Sequence, residues 1–145
     1  MGRIVAIDYG RKRVGIAVTD SLQLISNGLT TVPSATIITF LKEYLLKEDV
    51  EAFVVGYAKQ LDNTDSESMV YIKPFVKQLK KTFPDIKVHM VDERFTSKIA
   101  HQTMIDGGLK KKKRQNKALV DTISATLILQ SYMEQKDMGL NFKLK

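Results

Sequence analysis

The feature that most restricts how this chain can fold is its opening segment, Ile4-Val5-Ala6-Ile7, an unbroken apolar run that stops at Asp8-Tyr9-Gly10. Three of its four residues are β-branched, and no polar residue alternates with them. That pattern predicts a short strand buried on both faces, followed by a turn. Residues 14–18 read as a second strand, close enough to form a hairpin with the first. A third is expected over 29–32, stopped at Pro33, after which Ser34 would cap a helix with Ile37, Phe40, Leu41, Tyr44 and Leu45 inward. Residues 52–56 form the fourth strand, and 59–66 a polar loop rich in turn formers. Met69, Ile72, Phe75, Val76 and Leu79 mark a second amphipathic helix ending near Pro84, in which Pro74 predicts a kink or a late start. A fifth strand over 86–91, a short helix over 97–106 closed by Gly107-Gly108, and a long helix over about 116–135 complete the pattern. Strands with short links, then alternating helix and strand, then a closing helix describe an α/β layered sheet.

At 145 residues and 16.4 kDa the chain accommodates one domain, expected over 1–136, with 137–145 a frayed tail. Hydrophobic residues make up 43%, enough for a core and against disorder. No apolar run approaches the roughly 20 residues needed to cross a bilayer, and the N-terminus has no signal-peptide pattern. Cysteine is absent, which excludes disulfides and thiolate metal sites. A cytoplasmic protein with no membrane partner is the simplest expectation. Lys and Arg total 23 against 16 Asp and Glu, a net charge of +7 that favours polyanionic partners, although solubility alone also explains it.

Three places combine carboxylates with a plausible site. Asp8 ends the first strand at an edge of the sheet, where ligands of open α/β sheets gather. Gly10 beside it would permit a backbone conformation other residues resist, leaving space beside the carboxylate. Taken alone, Asp8 is more readily a turn former, since Asp is common after strands. Asp92-Glu93-Arg94 ends the fifth strand in the same way: two carboxylates for a cation and an arginine for charge balance or a phosphate, or else a solvated loop with a weak ion pair. Asp121 shares a helical stripe with Ser124, Ala125, Ile128 and Tyr132 that should pack on the sheet. A carboxylate on that face needs compensation, which a metal provides; favourable placement early in a helix is the competing account.

The three together carry more weight than any one. Two carboxylates at strand tips and a third on the closing helix can converge on one point. An oxygen-only donor set suits Mg²⁺ or Mn²⁺ rather than zinc. A pair of such ions can activate water and stabilise the leaving oxygen of a phosphodiester. His89 and His101 show no metal-binding spacing, and there is neither a Walker-type phosphate loop nor a nucleophile-elbow serine. The run Lys110-Lys111-Lys112-Lys113-Arg114 beside the Asp121 helix is either a solvated charge cluster or a phosphate contact.

These residues resemble a known family. Asp8-x-Gly10-x-x-Arg13-x-Gly15-x-Ala17-x-x-Asp20 is similar to the opening signature of the YqgF (RuvX) proteins, bacterial relatives of the RuvC Holliday-junction resolvases. Asp92-Glu93-Arg94-x-Thr96-Ser97-x-x-Ala100 resembles their second motif, and Lys117-x-x-x-Asp121-x-x-x-Ala125-x-x-Ile128-Leu129-Gln130 their third. The resemblance implies an RNase H-like fold, a five-stranded mixed sheet with helices on both faces, and a metal-dependent nuclease. The family is assigned to maturation of the 5′ end of pre-16S rRNA and was long called a Holliday-junction resolvase. It implies Asp8, Glu93 and Asp121 as the catalytic metal ligands for Mg²⁺ or Mn²⁺, with Asp92 as fallback for Glu93. It also implies Arg13, Arg94 and Lys117 as phosphate-contacting or charge-balancing residues, beside the basic run that includes Lys111, Lys112, Lys113 and Arg114. One region departs from the family pattern: Gly56-Tyr57-Ala58 and Asp62-Asn63-Thr64 stand where Gly-Leu-Pro and Asp-Gly-Thr are usual. Lacking that proline, the loop is looser, and Asn63 can still adopt a left-handed conformation.

Two substrates fit this reading, structured RNA such as pre-rRNA and branched DNA; a resolvase would be expected to form a homodimer, because a four-way junction presents two symmetry-related cuts. A non-catalytic nucleic-acid-binding or ribosome-assembly factor on the same fold is the alternative of another class. An actin-like ATPase needs two such domains, which the length disfavours.

Overall fold

The computed structural model describes residues 2–57, 69–92 and 117–137. Strands β1 (Arg3–Tyr9) and β2 (Arg13–Thr19) form an antiparallel hairpin, and β3 (Ser26–Pro33) extends it antiparallel to β2. On the other side of β1, β4 (Val50–Tyr57) and β5 (Lys87–Asp92) continue in parallel. The order β3-β2-β1-β4-β5 makes β1 the central strand of a five-stranded mixed sheet. Among the described residues three α-helices cover it: α1 (Ile37–Lys47), α2 (Met69–Thr82) and α3 (Lys117–Asp137).

The opening apolar run is explained by two cores. Val5 and Ile7 join Val14, Ile16, Phe53 and Val55 in packing against Ile37 and Leu41 of α1 and Ile72, Phe75 and Leu79 of α2. Ile4 and Ala6 point the other way, joining Ala17, Val54 and Val91 against Ala125, Ile128, Leu129 and Tyr132 of α3. All four residues of the run are at most 1% exposed, so neither face can tolerate a polar side chain. Among the described residues no helix is long and apolar enough to cross a membrane.

Several expectations are corrected. The third strand begins at Ser26 rather than at residue 29, because its first residues pair with β2 without any apolar alternation to announce them. Ser34 does not cap α1. It opens a single 3-10 turn, and its hydroxyl donates to the Gly10 carbonyl at 2.7 Å, while Thr36, the residue before α1, makes no side-chain cap. Ser34 therefore pins the β1–β2 turn, aided by its own N–H, which donates to the Lys12 carbonyl at 3.0 Å. Gly10 does not adopt a left-handed backbone. A Cβ there would lie 2.6 Å from the Arg13 carbonyl oxygen, which accepts the Gly10 N–H, so glycine supplies room rather than an unusual φ. Pro74 lies inside a helix already running from Met69, which excludes a start after it. Helix α3 includes Asp137, one residue into the expected tail. The expected loop over 59–66, the helix over 97–106 and the basic run all lie outside the described residues.

Candidate active site

The parallel strands β1, β4 and β5 end on the same side of the sheet, and Asp8 stands at that end of the central one. Side chains alternate along a strand, so with Ile4 and Ala6 facing α3, Asp8 continues their row. Its cross-strand partner is Gly15.

Gly15 brings the distant carboxylate in. A Cβ at this position would overlap the backbone carbonyl of Asp121 and lie 3.1 Å from the Asp121 Cβ. Helix α3 thus rests its backbone directly on β2 at Asp121. Opposed strand residues are separated by about 5 Å, so Asp8 and Asp121 become neighbours on one face although 113 positions separate them in the chain (121 minus 8). A row of small hydroxyl contacts fixes the helix there. Thr31 and Thr122 share a hydrogen bond at 2.7 Å, Ser26 donates to the Thr126 carbonyl at 3.1 Å, and the Thr126 hydroxyl donates back to the Thr122 carbonyl at 2.9 Å. Gly28 makes space for Thr122, whose Cγ2 would lie 2.6 Å from a Cβ at that position. Sequence reasoning missed this seat. The available signal was a glycine inside each of two strands, which marks close backbone approach.

Arg13 has the same parity as Gly15 and reaches the same helix. Its Nε donates to Asp121 Oδ2 at 2.8 Å, with the two side chains 38% and 22% exposed. Asp92 falls elsewhere. Along β5, Val88 belongs to the α1/α2 side and Val91 to the α3 side, so Asp92 projects away from the face that carries Asp8 and Asp121. That parity does not suit it as a substitute ligand. Lys117 begins α3, while Glu93, Arg94, Lys111, Lys112, Lys113 and Arg114 lie outside the described residues. Among the described residues no three His, Cys, Asp or Glu side chains gather at one point.

Other polar residues have structural work. Asp20, the last position of the first motif, lies at the opposite end of β2 from Arg13. Its Oδ1 accepts the N–H groups of Leu24 and Ile25 at 2.7 and 2.9 Å, around a turn in which Gln23 takes a φ of 58°. The Ile25 N–H first, then that of Leu24, hold its carboxyl below the ordinary aspartate range despite an opposing contribution from desolvation. His89 places its ring 5.2 Å from that of Tyr132, a packing role between β5 and α3. Burial pushes the Tyr132 hydroxyl up, but that residue is three turns along α3 from Asp121.

A mixed sheet of this order, with an acidic residue at the end of its central strand and another on the helix laid across it, defines an RNase H-like domain. The structure of T. thermophilus RuvC in complex with Holliday junction substrate superposes with a TM-score of 0.59, covering 99% of this chain and 100% of that one at 17% identity, and so shares the fold. The model of the RuvX family, described as Holliday junction resolvase, matches residues 2–135, and the chain belongs to that family. Membership places it among nucleases, hydrolases of phosphodiester bonds. A Phocaeicola vulgatus protein named "Putative pre-16S rRNA nuclease" is 64% identical over 136 residues, 94% of this chain and 98% of that one. A Parabacteroides distasonis protein of the same name is 59% identical over 140 residues, 97% and 100% of the two chains.

Proposed function

We propose that this chain is a divalent-metal nuclease that trims the 5′ end of pre-16S rRNA in the cytoplasm. The observation that carries the reading is the seat at Gly15, which sets Asp121 beside Asp8 where the parallel strands end. The donor set fits Mg²⁺ or Mn²⁺: the carboxylates of Asp8 and Asp121 are both half-buried, and hard oxygen donors suit these ions. Bound there, the ion would supply an activated water and charge stabilisation for the leaving oxygen.

Each residue has a distinct part. Asp8 is held on a strand hydrogen-bonded on both sides, so its position is rigid. Asp121 is set by the glycine beneath it rather than by its own helix. Glu93 is the third ligand in this reading. Arg13, Arg94 and Lys117 contact phosphate, with Lys111, Lys112, Lys113 and Arg114 extending the basic surface along the substrate. The net charge of +7 favours a polyanion. The RNA substrate is carried over from the relatives at 59% to 64% identity.

A second reading, resolution of four-way DNA junctions by a homodimer, is favoured by the family description and the fold shared with RuvC. Incubation with labelled pre-16S rRNA and with a four-way DNA junction, each with Mg²⁺ or Mn²⁺, separates the two. Cleavage of the precursor is expected; junction cleavage with intact rRNA would reverse the order. A protein acting only as an assembly factor would cut neither.

A further inference from the structure

Among the described residues two arginines pair with carboxylates, Arg3 with Glu48 and Arg13 with Asp121, and the pairs are built differently. Arg3 donates through Nε to Glu48 at 3.1 Å and through Nη1 to the Thr19 carbonyl at 2.9 Å. It is tied at two points and joins parts of the fold. Arg13 contacts Asp121 through Nε alone, at 2.8 Å. Toward Asp121 the contact is single-pronged, using one of the guanidinium's five N–H donors, and it engages a carboxylate of the candidate metal site. Its backbone is pinned by the Gly10 N–H, which donates to the Arg13 carbonyl at 2.9 Å, so the guanidinium can swing while its base stays put.

We propose that Arg13 is a counter-ion latch on the metal site. The inference rests on the metal-nuclease reading of Asp8 and Asp121. With no metal bound, the guanidinium covers Asp121 Oδ2 and offsets the repulsion between two carboxylates on one face. A divalent cation and the guanidinium then compete for the same oxygen. A phosphodiester arriving at the site offers the guanidinium a better, two-pronged partner and draws it off Asp121. Cation and nucleic acid therefore promote each other's binding through Arg13, and the two effects must be equal by linkage. The latch can open because the pair is half-exposed, a setting in which ion pairs hold weakly. It discourages the site from filling before substrate is present.

A residue that only positioned Asp121 would behave in the opposite way, and this separates the two roles. Isothermal titration of the full chain with Mn²⁺ alone, without nucleic acid, is the first arm. Arg13→Gln and Arg13→Ala are expected to bind Mn²⁺ on the order of tenfold more tightly than the unsubstituted chain, since a competing charge a few ångströms away has gone. Arg13→Lys, which keeps the charge, should stay close to the unsubstituted chain. The second arm measures fluorescence anisotropy of a labelled RNA hairpin with EDTA and with Ca²⁺. The gain in RNA affinity on adding Ca²⁺ should be several-fold in the unsubstituted chain and largely lost in Arg13→Gln. Unchanged or weaker Mn²⁺ binding in both neutral variants, with circular dichroism showing them folded, overturns the latch. Asp8→Asn tests the underlying reading. If the unsubstituted chain binds Mn²⁺ and Asp8→Asn does not, that reading stands whatever Arg13 does. If Mn²⁺ binds neither, the metal site and the latch fall together.

Discussion

Under α1 and α2 the sheet buries large side chains, Val5, Ile7, Val14, Ile16, Phe53 and Val55, whereas under α3 it sets Ala6, Ala17 and the glycines at 15 and 28 among the larger Ile4, Val54 and Val91. The first face maximises apolar area and holds its helices off by the length of those side chains. The second gives up area so that a helix backbone can lie against the strands. What is gained is the position of one carboxylate: only a bare β2 at residue 15 lets Asp121 come down beside Asp8. One side of the sheet supplies stability and the other supplies geometry.

That division predicts separable consequences. The largest effect belongs to the acidic pair. Asp8→Asn or Asp121→Asn should lower cleavage on the order of a thousandfold or more while leaving the melting temperature within a few degrees, measured by gel assay and calorimetry. On the other face, Phe53→Ala, at a residue with no exposure, should cost about 3–5 kcal/mol in urea unfolding. The protein that remains folded should cleave at nearly the normal rate. A cleavage defect as deep as that of Asp8→Asn would erase the distinction between faces. Gly15→Ala should show both effects at once, about 1–3 kcal/mol of destabilisation and a clear drop in cleavage, because the added methyl meets backbone that cannot step aside. Gly28→Ala meets side chains rather than backbone at close range, Thr122 Cγ2 at 2.6 Å and Thr126 Oγ1 at 3.2 Å, so a smaller loss on both counts is expected. The smallest effect concerns Asp20. Its carboxyl is depressed in the folded state, so its contribution is present above the unfolded value of 3.8 and is lost as pH falls through the lower folded value. The melting temperatures of Asp20→Asn and the unsubstituted chain should therefore draw together as pH falls below 4 and meet once it is below the folded value, with the full difference present above pH 4.

The α1/α2 face was the more legible of the two in the sequence. Aliphatic runs and helical spacing announced β1, β2, β4, α1 and α2, because burial of large side chains leaves a periodic signal. The three acidic candidates were visible too, as carboxylates ending apolar strands or interrupting an apolar helix stripe. What stayed hidden was long-range. Nothing near Asp121 states that it rests on Gly15, and Ser34 looked like a helix cap because its true partner, the Gly10 carbonyl, is 24 positions earlier. The first residues of β3, Ser26-Asn27-Gly28, carry no apolar alternation because their face is made of hydroxyls and space for α3. The parity that turns Asp92 away from Asp8 required the strand register of β5.

The most direct test is a crystal soaked in Mn²⁺ and measured for anomalous scattering. The account predicts a manganese peak coordinated by carboxylate oxygens of both Asp8 and Asp121. Strong anomalous signal elsewhere, with these two side chains ligating nothing at saturating Mn²⁺, would contradict it.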